Sequence, residues 1–437
     1  MENKRLRIVT LGCKVNQYES AYLEEALARF GWRSSERGER ADLVLINTCI
    51  VTGRASYQSR QAIKRAAREN PGALIGAVGC YAQVFPEELR RIPGLHLVAG
   101  NTMKGRLPRL IEQGCPPPYP RVLIEPFTSG SPFEQLPVTR LPGRTRAFLK
   151  IQDGCDSSCT YCIVPRARGG PRSLPPERVL SALFEFASNG FKEVVLTGIH
   201  LGRYGLDLSP PFSLRRLLEN IGAARPQLRV RLSSLDPDEL LQSIPGFVGE
   251  SPWLCRHFHI ALQSGDNRIL RRMGRRYRAE GFALTVESVK KEAPSAAVGA
   301  DVLVGFPGET EEAFGNTLRL LRDLPVSYLH VFRYSPRPGT PAARFSDQVP
   351  QAAVKERSAE LRALGRKKWK EFHFSCLGGI FPVLVEGCGE DDFCKGLADN
   401  YLPVAFPSSG DPVNEMVEVR VERLGPGRVE GRAVGPG

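Results

Sequence analysis

Of the eleven cysteines in this chain, six sort into two sets of three, and each set has the look of a ligand pattern. One set is compact: Cys155, Cys159 and Cys162 in the run GCDSSCTYC. The other is spread over the first 80 residues, with Cys13, Cys49 and Cys80 each following a short apolar run. A structural zinc site asks for four ligands, and the nearest candidate to complete the compact set is the distant His200. Three thiolates suit a [4Fe-4S] cluster held by three of its irons, which leaves the fourth open to a ligand that takes part in chemistry. Two such sets imply two reactive clusters.

At 437 residues, 42% hydrophobic and 24% charged, the chain is long enough for two or three globular domains. The few apolar residues before Gly12 are too short for a signal-peptide core, and no later stretch reaches membrane-spanning length. The expectation is a cytoplasmic protein with reduced thiols and no membrane partner, in which Cys115, Cys255, Cys376, Cys388 and Cys394 are packing or surface thiols. The formal charge of +13 suggests a polyanionic partner. From His373 onward five Lys and Arg stand against ten Asp and Glu, so that stretch carries −5 and the residues before it +18. Basic runs lie at Arg271–Arg278 and Arg366–Lys370.

The alternation of apolar runs with helical spacing predicts an α/β fold in three parts. An N-terminal open parallel sheet, residues 4–115, takes strands at Leu6–Thr10, Leu43–Ile46, Leu74–Val78 and Leu95–Val98, with helices over Glu19–Phe30 and Gln58–Arg68. Open parallel sheets bind ligands beyond the carboxyl ends of their strands, where Cys13, Cys49 and Cys80 would fall together. A Pro-, Ser- and Gly-rich linker, 116–144, precedes a partial (β/α)6 barrel over 145–370. Its strands are expected at Phe148–Ile151, Glu193–Leu196, Arg229–Leu232, Phe258–Leu262, Val298–Val304 and Tyr328–Phe332, each followed by polar or glycine-rich residues. Short alternating runs from 371 to 437 predict a small antiparallel barrel. The GFPG run lacks the Gly-Lys-Ser/Thr of a phosphate loop.

GCDSSCTYCIVPRARGGPRS resembles the cluster loop of the radical S-adenosylmethionine superfamily. TLGCKVNQYES, INTCIVTGRASYQSRQ, GCYAQ, LTGIHLGRYG, IALQSGDNRILRRMGRRY, ADVLVGFPGET and FRYSPRPGTPAA are similar, in order, to the radical methylthiotransferases, and the C-terminal part resembles a TRAM domain. The resemblance implies that Cys155, Cys159 and Cys162 hold the cluster that cleaves S-adenosylmethionine to a 5′-deoxyadenosyl radical. It implies that Cys13, Cys49 and Cys80 hold an auxiliary cluster whose open iron carries the sulfur to be transferred. Tyr161 is then a candidate for adenine, Arg168 and Arg172 for the cofactor carboxylate, and Thr197, Gly198, Ser233, Gln263 and Asp301 for its methionyl and ribose groups. An electron donor and a sulfur source are implied as further partners.

TLGCKVNQYES and FRYSPRPGTPAA are most similar to the branch that methylthiolates C2 of N6-threonylcarbamoyladenosine at position 37 of tRNA, so the expected partner is a tRNA anticodon stem-loop. Other branches act on isopentenyladenosine or on an aspartate of a ribosomal protein, which the acidic C-terminal part would suit. A non-catalytic iron-sulfur RNA-binding protein would also account for cysteines and charge, but not for polar groups after six strands. A threonylcarbamoyl group carries a carboxylate, so its pocket should offer a cation, and Lys14, Arg203 and Arg337 are the candidates.

Overall fold

The computed structural model describes residues 4–36, 38–114, 119–128, 130–141, 143–243, 251–389, 393–408 and 410–435; Cys115 lies outside them. The first sheet is built from β1 (Arg5–Thr10), β2 (Arg33–Ser34), β3 (Leu43–Thr48), β4 (Leu74–Gly79), β5 (Leu97–Ala99) and β6 (Arg121–Leu123). All its pairs are parallel, in the order β2-β1-β3-β4-β5-β6. Every residue of β3 is buried, as a parallel strand covered on both faces requires. Leu43 and Leu45 join Leu23 and Leu27 on one face, while Val44 and Ile46 join Ile63 and Ala66 on the other.

The two covering helices, Lys14–Ala28 and Gly53–Glu69, start earlier than their apolar spacing indicates. Spacing marks only the buried stripe; the second start is set by Thr52, whose side chain accepts from the Ala55 N–H. β2 and β6 were not expected as strands, and β6 lies inside the Pro-rich stretch, pairing with β5.

By contacts the chain divides into two compact units: 1–142 with 150–174 and 335–343, and the remainder. The first thus includes the Cys155–Cys162 loop, closed at its stem by β8 (Gln152–Asp153) and β9 (Arg172–Ser173). The second holds six strands near the expected positions: β7 (Arg146–Lys150, its last residue grouped with the first unit), β10 (Glu193–Thr197), β11 (Arg229–Leu232), β12 (His257–Gln263), β13 (Ala297–Val304) and β14 (Tyr328–Arg333). They form two three-stranded sheets, β11-β10-β7 and β12-β13-β14, with isolated bridges Val230–Leu254 and Leu235–Ile260 beside β11 and β12.

The 25-residue helix Gln351–Ser375 leads to a closed ring in the order β15-β16-β17-β19-β18. Its strands are β15 (Ile380–Cys388), β16 (Phe393–Ala398), β17 (Pro403–Pro407), β18 (Met416–Gly425) and β19 (Arg428–Ala433). The expectation of a wholly antiparallel barrel needs correction, because β17 and β19 run parallel. Five strands around a closed ring cannot alternate in direction at every step, so one neighbouring pair has to be parallel. Cys388 and Cys394, expected as thiols, face each other across β15 and β16 and form a disulfide. Cys255 and Cys376 are buried. No helix among the described residues is long and apolar enough to cross a membrane.

Within the second unit, Glu193 ties the barrel sheet to the ring. Its carboxylate accepts from Arg229 Nε and Arg231 Nε at 2.7 Å each, and the same guanidinium groups donate to Pro382 O, Leu397 O, Ala398 O and Asp399 O. Burial alone would raise the Glu193 carboxyl, but the two arginines outweigh it and hold it at about 2. Glu193→Gln leaves two buried arginines without their anion, and we expect a loss of about 3–5 kcal/mol in denaturant unfolding. Because the folded value is depressed, this contribution is present at neutral pH and disappears as pH falls from about 4.5 towards about 2. A pH titration of unfolding that matches wild type for Glu193→Gln would contradict the assignment.

Candidate functional site

Neighbouring strands bring the spread cysteines to one edge of the first sheet. β1, β3 and β4 are adjacent and parallel, and Cys13, Cys49 and Cys80 all lie just beyond their carboxyl ends. Cys13 occupies the N-terminal boundary of helix Lys14–Ala28, Cys49 directly follows β3, and Cys80 opens the short helix Cys80–Val84. The chain can make the first of these turns only with glycine. Gly12 has φ +99°, and a Cβ there would stand 2.9 Å from both Cβ and Sγ of Cys49.

Burial pushes the Cys49 thiol up to about 11, and Cys80 and Cys13 add like-charge repulsion. Cys13 is open to solvent, yet enclosure by surrounding protein raises it too, with Arg168 opposing. Such thiols ionise when a metal takes the proton's place. Asn101 Nδ2 donates to Cys80 Sγ at 3.5 Å and to Ala167 O at 2.7 Å, a contact to sulfur of the kind that tunes iron-sulfur centres. Soft thiols in a set of three, with an amide N–H on one sulfur, fit an iron-sulfur cluster.

The compact set lies in the same unit. Cys155 N–H donates to Gly169 O at 2.9 Å, Cys155 Sγ accepts from Ser157 N–H at 3.3 Å, and Cys162 N–H donates to Cys159 O at 3.1 Å. Gly154 cannot be replaced without moving backbone, since its φ is +73° and a Cβ would stand 1.9 Å from Gly170 O. Ile163 and Ala167, just past the last cysteine, are buried in the same apolar cluster as Val44 and Ile75. Half-buried Tyr161 sits between Cys159 and Cys162.

Arg168 is 1% exposed and its guanidinium is committed within the protein. Nη1 donates to Glu19 Oε1 at 2.8 Å and Asp153 Oδ1 at 3.0 Å, and Nη2 to Asn16 Oδ1 at 2.8 Å and Glu19 Oε2 at 2.9 Å. Lys150 Nζ reaches Glu19 at 3.3 Å and Asp153 at 3.2 Å, and Lys104 Nζ pairs with Glu19 as well. Arg172 donates to Gly170 O at 2.7 Å, lies 3.7 Å from Asp153 and covers the Phe127 ring. No local pattern marks Lys104, Glu19 or Asn101 for this role, because helix and strand spacing says nothing about which buried charges meet.

In the second unit Thr197 ends β10 with Gly198 after it, Ser233 follows β11, and Gln263 ends β12 at φ +64°. Ser233 Oγ is buried without a hydrogen-bond partner among the described residues. Asp301 lies inside β13. Its Oδ1 is 2.7 Å from His259 Nε2 and 3.5 Å from His330 Nδ1, and Tyr328 OH is 2.9 Å from His259 Nδ1 and 2.7 Å from His257 Nε2. Burial would raise the Asp301 carboxyl, but hydrogen bonds from His259 and His330 win and lower it to about 2. These partners were missed although the signal was present: alternation in HFHIALQ and YLHVFR puts His257, His259 and Gln263, and Tyr328 and His330, on single strand faces.

Both basic runs are partly engaged. Lys368 is buried and donates to Arg322 O and Leu324 O, whereas Arg366, Lys367 and Lys370 are exposed. Arg272, Arg275 and Arg278 pair with Asp347, Asp236 and Glu280, and Arg271 and Arg276 are exposed.

A family described as Uncharacterized protein family UPF0004 matches residues 5–100, and the Radical SAM superfamily matches residues 149–321. The relative named Threonylcarbamoyladenosine tRNA methylthiotransferase MtaB from Bacillus subtilis is 37% identical, with 97% of this chain and 95% of that protein covered. Its namesake from Aquifex aeolicus is 37% identical over 90% of this chain and 95% of that one. The tRNA-2-methylthio-N(6)-dimethylallyladenosine synthase of Carboxydothermus hydrogenoformans is 34% identical over 96% and 97%. Among solved structures, the radical S-adenosylmethionine methyltransferase TsrM from Kitasatospora setae has a similar fold, with TM-score 0.55 and 16% identity over 78% of this chain and 77% of that one.

Gly12→Ala is expected to cost about 1–3 kcal/mol of strain in thermal unfolding and to lower iron uptake after reconstitution. Wild-type unfolding and wild-type iron content in that variant would contradict the close approach of Gly12 to Cys49.

Proposed function

This chain belongs to the radical S-adenosylmethionine methylthiotransferases, and from that premise we propose that it replaces the C2 hydrogen of N6-threonylcarbamoyladenosine at position 37 of tRNA with a methylthio group. The observation that carries the reading is the match, nearly end to end, to two relatives named for that nucleoside. Membership of the family brings a [4Fe-4S] cluster and S-adenosylmethionine with it, and a second cluster with the N-terminal part.

Cys155, Cys159 and Cys162 would hold one cluster and Cys13, Cys49 and Cys80 the other; when bound, they supply reductive cleavage of S-adenosylmethionine and an iron open to the sulfur being transferred. Arg168 fixes the helix Val164–Arg168 behind the compact cysteine loop by anchoring it to Glu19 and Asp153. Asn101 holds Cys80 by its sulfur and the loop by Ala167 O. The buried Ser233 hydroxyl, which lacks a partner among the described residues, is suited to a polar group of the cofactor, and we assign Thr197, Gly198, Gln263 and Asp301 to the same ligand. Tyr161 is assigned to its adenine and Arg172 to its carboxylate. His259 and His330 keep Asp301 ionised and aimed.

The tRNA anticodon stem-loop would be met by exposed cations such as Arg271, Arg276, Arg366, Lys367 and Lys370. The reaction consumes electrons and sulfur, so an electron donor and a sulfur source are partners by stoichiometry.

The test is mass spectrometry of nucleosides from hypomodified tRNA after anaerobic incubation with reconstituted protein, S-adenosylmethionine, sulfide and reductant. Conversion of threonylcarbamoyladenosine to its 2-methylthio form is the expected result. Accumulation of 5′-deoxyadenosine with that nucleoside untouched and isopentenyladenosine converted would overturn the substrate assignment.

A further inference from the structure

Among the described residues six arginines are buried: Arg168, Arg172, Arg229, Arg231, Arg337 and Arg357. Five of them pair with a carboxylate, namely Asp153 and Glu19 for Arg168, Asp153 for Arg172, Glu193 for Arg229 and Arg231, and Glu309 and Glu311 for Arg357. Arg337, 7% exposed, has no carboxylate within ion-pair distance among the described residues. An isolated buried cation is costly, and a group left in that condition calls for an explanation.

Its surroundings lie wholly within the first unit and border the spread cysteine set. Ser335 Oγ accepts from Gly53 N–H at 2.9 Å, which docks this loop on the first residue of helix Gly53–Glu69, four residues after Cys49. Arg337 Nη2 donates to Ser56 Oγ at 2.8 Å on the same helix. Nη1 lies 3.6 Å from where a Gly53 Cβ would stand, so the guanidinium is held against the amino end of a 17-residue helix. Nε is buried and has no partner among the described residues. Loss of solvent is the largest influence on Arg337 and lowers its pKa in spite of Tyr81, Glu88 and Cys49 nearby, whereas at Arg168, where it acts in the same direction, Asp153, Cys80 and Glu19 outweigh it. One serine hydroxyl accounts for one N–H of a fork that has five.

We propose that Arg337 binds an oxyanion of the substrate tRNA beside Cys49. A planar guanidinium with free donors on adjacent nitrogens matches the two oxygens of a carboxylate or phosphate, and the helix terminus adds positive potential at the same point. Two parts of the substrate carry that chemistry: the carboxylate of the threonylcarbamoyl group and the backbone phosphate next to the modified nucleoside. The assignment rests on the tRNA reading of the function. Of the three cations that the sequence offers for the threonylcarbamoyl carboxylate, Lys14 and Arg203 have partners within the protein, while Arg337 makes one side-chain hydrogen bond, to Ser56 Oγ, and keeps a buried Nε without a partner among the described residues.

The experiment uses full-length reconstituted protein as wild type, Arg337→Gln and Arg337→Lys, with exposed Lys291→Ala as a surface control. Each is titrated with three anticodon stem-loops bearing threonylcarbamoyladenosine, its neutral carboxamide analogue or plain adenosine, and product is followed by mass spectrometry. If the carboxylate is the ligand, wild type binds the first RNA about tenfold more tightly than the second, and Arg337→Gln erases that difference. If the phosphate is the ligand, Arg337→Gln weakens all three RNAs by one common factor and reduces the salt slope by about 1. Arg337→Lys keeps the charge without the fork and is expected to recover part of the loss; it also serves where the glutamine variant folds poorly. Binding of all three RNAs by both variants as by wild type would overturn the proposal. Wild type that leaves threonylcarbamoyladenosine unconverted but still loses RNA affinity on Arg337 replacement would fault the substrate reading and keep the anion site.

Discussion

Glu19, a carboxylate that is 2% exposed, gathers the charges on which the rest of the first unit depends. It faces Arg168, Lys104 and Lys150 at once, and Asp153 takes the other side of Arg168 and Lys150. Burial acts to raise Glu19, but those three cations hold it well below the usual carboxylate range. The residues come from four places in sequence: the helix after Cys13, the segment after β5, the end of β7 with the start of the cysteine loop, and the helix after Cys162. Removing one member of such a set leaves its partners buried without counter-charge, which is why networks of this kind fix geometry more than they add net stability.

The same network bears on the cysteines. Three cations meet two carboxylates at its centre, with Arg172 and Glu134 at the margin, so the balance leans positive. Arg168 acts electrostatically on Cys13, favouring its anionic form against the burial that opposes it. A site that disfavours free thiolates by enclosure and favours them by a fixed cation is suited to ligands that ionise only when metal arrives. Folding and cluster chemistry therefore draw on one set of interactions. The second unit repeats the theme at Glu193, where two arginines join barrel strands to the C-terminal ring.

What could be read from the chain alone follows from what leaves a local mark. Apolar runs located β3, β4, β10, β11, β12, β13 and β14 to within a residue or two, and cysteine spacing singled out both triads. Helix Gly53–Glu69 began earlier than its stripe because a cap depends on one hydroxyl, Thr52, and not on periodicity. The parallel closure of β17 on β19 and the Cys388–Cys394 bond are consequences of ring closure and register, which no single run displays. Arg168 illustrates the deeper limit. Its place in RARGG is visible, but that its partners are Glu19 and Asn16, about 150 residues away, is decided by how a loop packs on a sheet. Arg337 is the converse, since its importance lies in partners it lacks.

The most direct test of the account is ⁵⁷Fe Mössbauer spectroscopy with iron quantification on anaerobically reconstituted protein, comparing wild type with two triple variants. In one, Cys13, Cys49 and Cys80 are replaced by alanine; in the other, Cys155, Cys159 and Cys162. Two three-cysteine centres predict about eight irons in wild type and about four in each variant, all in [4Fe-4S] form. Wild type with only about four irons, or either variant devoid of iron while still folded, would contradict two separate centres.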